Sequence, residues 1–170
     1  MVLIVTPLNR IHDVIAARAP SHLITLLSPG EMIGTPAGFP RERHLRIETH
    51  DIAAAQEGLT LPTVEMVEQV LQFAQGWDAS APMLIHCWAG ISRSTASAFA
   101  IACERNPHAD EHAIALALRR AAPHAYPNRR LVALADDILG RGGRMIEAVE
   151  AMGDNNSAME GVPFDLPARH

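Results

Sequence analysis

The chain has 170 residues, 48% hydrophobic and 19% charged, with a formal net charge of −5, which supplies one globular core and excludes both a disordered chain and a cation-lined nucleic-acid binder. All 14 basic residues are arginine, so Schiff-base catalysis, the pyridoxal-phosphate anchor and the Walker A loop, each of which needs a lysine, are excluded as well. No run reaches the ~18–20 apolar residues that span a bilayer, residues 1–5 lack the flanks of a signal peptide, and two cysteines are too few for a secreted disulfide framework; the expected setting is the cytoplasm, with neither nucleic acid nor membrane as partner.

Residues 2–5 and 22–27 are short aliphatic runs bounded by turn formers, with a helix expected between them at 10–18. Residues 28–40 carry Pro29, Gly30, Gly34, Pro36, Gly38 and Pro40, a density of breakers that allows only a loop. At 44–49 the pattern alternates, with Leu45 and Ile47 on one face and Arg46 and Glu48 on the other, as in a strand near a sheet edge. Pro62 suits a helix's first turn, and Val64, Val67, Val70, Leu71 and Ala74 recur at helical spacing until Gly76. Residues 82–87 then form an apolar run too short for a helix, the best candidate for a central strand buried on both faces. Three helices are expected at 92–104, 110–121 and 128–139, and a fourth at 144–152. The expected fold class is α/β, a central, mostly parallel sheet of about four to five strands flanked by helices, in a single domain over 1–152. Residues 153–170 form a tail, either flexible or packed on the domain; 153–161 looks flexible, and Phe164-Asp165-Leu166-Pro167 either clasps the domain or hangs free.

The chemistry concentrates in His86-Cys87-Trp88-Ala89-Gly90-Ile91-Ser92-Arg93-Ser94, between the central strand and the alanine-rich helix. A strand that turns directly into a helix aims successive backbone N–H groups, and the positive end of the helix dipole, at one point where an anion belongs. Gly90 permits a positive φ in so tight a turn, and Arg93 closes the ring with a bidentate guanidinium. A cysteine at the base of that ring is surrounded by groups that favour the thiolate. The Ser94 hydroxyl is placed to donate to the sulfur and help it leave.

This string resembles the H-C-x-x-G-x-x-R-[ST] loop of the cysteine-dependent protein tyrosine phosphatases, and Ala89-Gly90-Ile91-Ser92-Arg93-Ser94 is most similar to the dual-specificity branch. The resemblance implies that fold and a phosphomonoester hydrolase working through a phosphocysteine, with Cys87 as nucleophile and residues 88–93 (Trp88, Ala89, Gly90, Ile91, Ser92, Arg93) holding the phosphoryl group. It implies a general-acid aspartate some tens of residues upstream. Asp51 follows the 44–49 strand and, if that strand is parallel to 83–87, emerges at the same sheet edge as Cys87; Glu48 and Glu57 are its rivals, while Asp78 belongs at the opposite edge. Tyr126-Pro127-Asn128 resembles the family segment whose asparagine braces the loop, although Asn128 equally suits a helix cap. His86 is expected to support the loop from beneath, and Trp88 either flanks the substrate or caps the turn.

No metal or cofactor is expected. His108-Ala109-Asp110-Glu111-His112 matches a zinc-protease pattern but lacks a second arm and reads more simply as a loop and N-cap. Cys103, ~16 Å along the helix axis from Ser92, is expected to be a core thiol and not a redox partner for Cys87. The expected activity is that of a protein tyrosine or dual-specificity phosphatase, with a phosphorylated protein, phosphotyrosine first, or a small phosphomonoester as substrate. The alternatives are a non-catalytic phosphopeptide-binding module of the same fold and a lipid phosphomonoesterase. The latter is disfavoured because Trp88, Ala89, Ile91 and Ser92 bring no extra cation into the loop. Residues 28–40 are expected to rim the pocket. The oligomeric state is left open.

Overall fold

The computed structural model describes residues 1–153 and 158–170. Five strands form one sheet in the order β3-β2-β4-β1-β5: β1 Val2–Pro7, β2 His22–Leu27, β3 His44–Glu48, β4 Met83–Cys87 and β5 Phe164–Pro167. The first four are mutually parallel, and β5 runs antiparallel to β1. The apolar run at 83–87 is the central strand, buried along its whole length. β3 lies at one edge, where its alternating pattern leaves Arg46 and Glu48 exposed.

The period of two along each strand sorts side chains between two cores. Leu3, Val5, Ile24, Leu26, Met83 and Ile85 face the larger cluster, built with α2 (Val64–Gln75), α3 (Arg93–Arg105), α4 (Glu111–Ala121), α5 (Arg129–Ile138) and α6 (Arg144–Ala151). Ile4, Leu23 and Leu84 face the other way, against Ile11 and Val14 of α1 (Ile11–Arg18) and against Ile33 and Phe39 of the 28–40 loop. α3 is the buried helix: Arg93 through Cys103 are all inaccessible, which is why its sequence is alanine-rich instead of amphipathic.

Three local departures from the sequence reading have simple causes. α1 starts at Ile11, because Leu8–Arg10 is a separate 3-10 turn. Pro62 is outside its helix: Thr63 is the N-cap, with extended backbone and its Oγ1 accepting from Met66 N, so α2 starts at Val64. The 164–167 segment does not hang free. It completes the sheet, Leu166 is fully buried, and Arg18 makes a two-bonded ion pair with Asp165. Residues 154–157, part of the 153–161 stretch read as flexible, lie outside the described residues; Asn155-Asn156-Ser157 within them matches the glycosylation sequon, a match set aside because the sequence shows no secretory signal. Among the described residues, no helix is long and apolar enough to cross a membrane.

Candidate active site

β3 and β4 both run parallel to β2, so their C-terminal ends open on the same edge of the sheet, the edge where open α/β sheets carry ligands. There Cys87, Trp88, Ala89, Ile91, Ser92 and Arg93 line a cleft of about 630 Å³, and Asp51 and Asn128 line it too. Among the three rival carboxylates Asp51 is the one in this cleft. Glu48 lines a separate depression with Pro29 and Arg46, and Glu57 is exposed. Glu31 brings the 28–40 loop to the cleft, which Tyr126, Pro127 and Arg129 also line.

The turn from β4 to α3 is held from outside by its carbonyls. Leu8 N donates to Trp88 O (3.0 Å), Gly161 N to Ala89 O (2.8 Å), Tyr126 N to Ile91 O (2.9 Å) and Asn128 N to Ser92 O (3.2 Å). In a trans peptide the N–H of the next residue points away from the carbonyl. The N–H groups of Ala89, Gly90, Ser92 and Arg93 are therefore turned away from those four donors. Backbone dipoles arranged in this way can hold an anion.

Gly90 is the residue this turn cannot exchange. Its φ is +68°, and a Cβ there would sit 2.7 Å from Pro7 N and 2.8 Å from the Thr6 carbonyl carbon. Both contacts are with backbone, which cannot swing aside. We expect Gly90→Ala to lose about 2 kcal/mol of stability and to weaken inorganic phosphate binding, read by urea unfolding with and without phosphate.

Cys87 is 1% exposed, and its Sγ lies 3.1 Å from Ser94 Oγ. Arg93 is also buried, and its guanidinium is fixed from behind: Nη1 donates to Thr49 O at 2.8 Å and reaches Ser28 Oγ at 3.5 Å. Its Nε is buried without a hydrogen-bond partner, an orphan cationic donor of the kind an anion satisfies. Asp51 Oδ1 accepts from Ser92 Oγ (2.7 Å) and from Asn128 Nδ2 (2.8 Å). Asn128 also caps α5 through Oδ1, which accepts from Leu131 N (3.0 Å). Asn128 is thus the cap of α5 through Oδ1, holds Asp51 through Nδ2, and touches the loop through its backbone N–H at Ser92 O. Trp88 is 55% exposed at the cleft mouth.

His86 is fully buried beneath the loop, with Nε2 2.7 Å from Thr25 Oγ1 and Nδ1 3.4 Å from Cys87 O. Burial, reinforced by His44 and Arg93, pushes its pKa down to about 4 although its bond to the Cys87 carbonyl pulls the other way. The folded state therefore resists a proton that the unfolded chain accepts near pH 6.5, and the stability this confers is present above pH 6.5 and lost as pH falls toward 4. We expect about 2–4 kcal/mol to disappear across that window from His86 alone, measured as urea unfolding free energy at pH 7, 5.5 and 4.

The other sequence candidates go elsewhere. Burial, with Glu111 nearby, pushes the Cys103 thiol up to about 12, and both cysteines are free. Glu111 of the zinc-like pattern is buried in ion pairs with Arg141 and Arg144, and Asp110 caps α4 by accepting from His112 N. Sequence reasoning did not find the backbone donors of Leu8 and Gly161, the Thr49 carbonyl behind Arg93, or the Thr25 and His44 side chains near His86. A backbone donor has no sequence signature, and Thr25 and His44 each sit in runs that read as ordinary strand.

No family model matches this chain, and no curated protein sequence does. Solved structures do. DUSP15 superposes with a TM-score of 0.62 at 17% identity, covering 91% of this chain and 94% of that one. Human DUSP28 gives 0.59 at 19% identity, covering 89% and 95%. PTPMT1 in complex with PI(5)P gives 0.60 at 16% identity, covering 88% and 91%. The chain has the dual-specificity phosphatase fold.

Proposed function

We propose that the protein is a cysteine-dependent phosphomonoester hydrolase, acting on phosphotyrosine or another phosphorylated side chain through a phosphocysteine intermediate. One observation carries the reading: a buried thiol, an orphan guanidinium N–H, backbone donors and a tethered carboxylate all line one cleft. In the first step the phosphoryl group lies in the cradle, held by the N–H groups of residues 88–93 and by Arg93. The Cys87 thiolate attacks phosphorus, and the bond to the leaving oxygen breaks as Asp51 delivers its proton to that oxygen. With Oδ1 occupied by Ser92 and Asn128, the proton travels on Oδ2.

In the second step the Asp51 carboxylate takes a proton from water as it attacks phosphorus. The S–P bond breaks, inorganic phosphate departs, and the Ser94 hydroxyl donates to the sulfur as it regains its charge. The chemistry needs no metal, since the cradle itself neutralises the equatorial oxygens. Among the described residues, Arg93 and Arg129 are the cations that line the cleft, Glu31 and Asp51 its anions. One phosphate fits that balance better than several, which supports a phosphoprotein over a polyphosphorylated lipid headgroup.

The test is steady-state hydrolysis of para-nitrophenyl phosphate, phosphotyrosine, phosphoserine and phosphothreonine peptides and a phosphoinositide, with EDTA present. Turnover of the aryl phosphate and the phosphotyrosine peptide supports the reading. Turnover of the lipid alone changes the substrate class, and binding of phosphopeptide without any turnover replaces the enzyme by a recognition module.

A further inference from the structure

The proposed mechanism leaves a set of buried polar groups beneath the loop without a task. Thr25 on β2 and His86 on β4 are register partners, both fully buried, on the face of the sheet that carries the smaller core. His44 joins them from β3. Thr25 Oγ1 lies 2.7 Å from His86 Nε2 and 2.8 Å from His44 Nε2. His44 Nδ1 continues to Thr35 Oγ1 at 3.0 Å, and His86 Nδ1 ends on the Cys87 carbonyl. Thr35 belongs to the 28–40 loop, which also sends Ser28 to Arg93 and Glu31 to the cleft.

The proton positions along this chain follow from counting donors. A carbonyl only accepts, so His86 Nδ1 carries the hydrogen that faces Cys87 O. In a neutral ring Nε2 then accepts, and the single Thr25 hydroxyl proton goes to it. The Thr25 oxygen is left to accept from His44 Nε2–H, and His44 Nδ1 accepts from the Thr35 hydroxyl. Reversing the chain would set the His86 Nδ1 lone pair against the carbonyl oxygen in a buried site, an unmet acceptor facing another. Arg93 and His44 face His86, and Arg46 faces His44; like charge and burial both oppose a second proton on either ring.

We infer that Thr25 and His44 are positioning residues for the nucleophile: the directed chain Thr35–His44–Thr25–His86 locks His86 in the Nδ1–H form, fixes the Cys87 carbonyl at the foot of the anion cradle, and ties it to the loop that rims the cleft. The inference rests on the phosphatase reading of that cleft. It adds residues from two strands, and a loop contact, that no motif in the chain announces.

The direct test is tautomer spectroscopy on the full chain. In protein labelled with 15N-histidine, multiple-bond 1H–15N correlation should show His86 protonated at Nδ1 and His44 protonated at Nε2. Thr25→Val, nearly isosteric, should release the His86 tautomer and lower kcat for para-nitrophenyl phosphate about tenfold, a barrier change typical of one misplaced group, with KM within about twofold. Thr25→Ser should restore both. Thr35→Val, at the partly exposed end of the chain, gives an independent probe and should disturb the His44 tautomer first. An Nε2–H tautomer at His86 in the wild type, or an unchanged kcat in a folded Thr25→Val, overturns the inference alone. A wild type that hydrolyses no phosphomonoester overturns the phosphatase reading and the inference with it.

Discussion

Cys87→Ser is expected to abolish phosphomonoester turnover while the protein stays folded and still binds inorganic phosphate. The substitution exchanges sulfur for oxygen in a step for which Asp51, the carboxylate of the proposed mechanism, must hold its proton for the leaving group and so is not the base a hydroxyl would need. His86, the neighbouring imidazole, is turned away from the cleft, with one nitrogen committed to Thr25 and the other to the Cys87 carbonyl. Ser94 Oγ offers a donor, not a base. A cysteine sulfur is the stronger nucleophile, and a serine hydroxyl without a base is a weak one. The expected loss is about 10⁴-fold or more in kcat, the scale seen when a nucleophile is removed. In the proposed site the anion is held by backbone and Arg93 and not by the Cys87 side chain, so phosphate binding by calorimetry should change by less than about threefold on the affinity scale.

Asp51→Asn is expected to have the second largest effect, about 10²–10³-fold in kcat, and its size should depend on the leaving group. The amide keeps the carboxylate's shape and can still accept from Ser92 and Asn128 through Oδ1, so the cleft should stay assembled. What is lost is the proton. A poor leaving group such as the tyrosine phenolate needs it most, and a strongly acidic phenol scarcely at all. Rates measured over a series of aryl phosphates should therefore show a steep dependence on leaving-group pKa in the variant and a shallow one in the wild type. Equal losses across the series would remove Asp51 from the acid role, and Glu48 and Glu57 would need the same measurement despite their positions outside the cleft.

Most of this arrangement was legible in the chain because its signals are local. The run 83–87, apolar apart from His86, became the strand buried on both faces, while the alternation at 44–48 became an edge. The nine-residue string from His86 to Ser94 announced a strand-turn-helix, and Gly90 has the positive φ expected of it. Asp51 was placed by an argument about parallel strands, which the pairings of β2 with β3 and β4 satisfy.

The remainder was hidden because it depends on partners distant in sequence. Four short residues, Phe164 to Pro167, carry too little pattern to announce a strand, and only β1 supplies the edge on which they pair. The outward tethering of the loop carbonyls draws on the backbone N–H groups of residues 8, 126, 128 and 161, which carry no side-chain signature. Thr25 and His44 have strand-like neighbours and reveal their roles only when β2, β3 and β4 bring them within hydrogen-bonding distance.

The central claim is a covalent phosphocysteine at Cys87, and rapid acid quench followed by intact and peptide mass spectrometry tests it most directly. Wild type mixed with an aryl phosphate and quenched within the first turnover should show an adduct of about 80 Da, the mass of one phosphoryl group, confined to the peptide that holds Cys87 and absent from Cys87→Ser. Burst release of the phenol should match the adduct in amplitude. Turnover with no adduct and no burst at any quench time, or an adduct that persists in Cys87→Ser, would contradict the account.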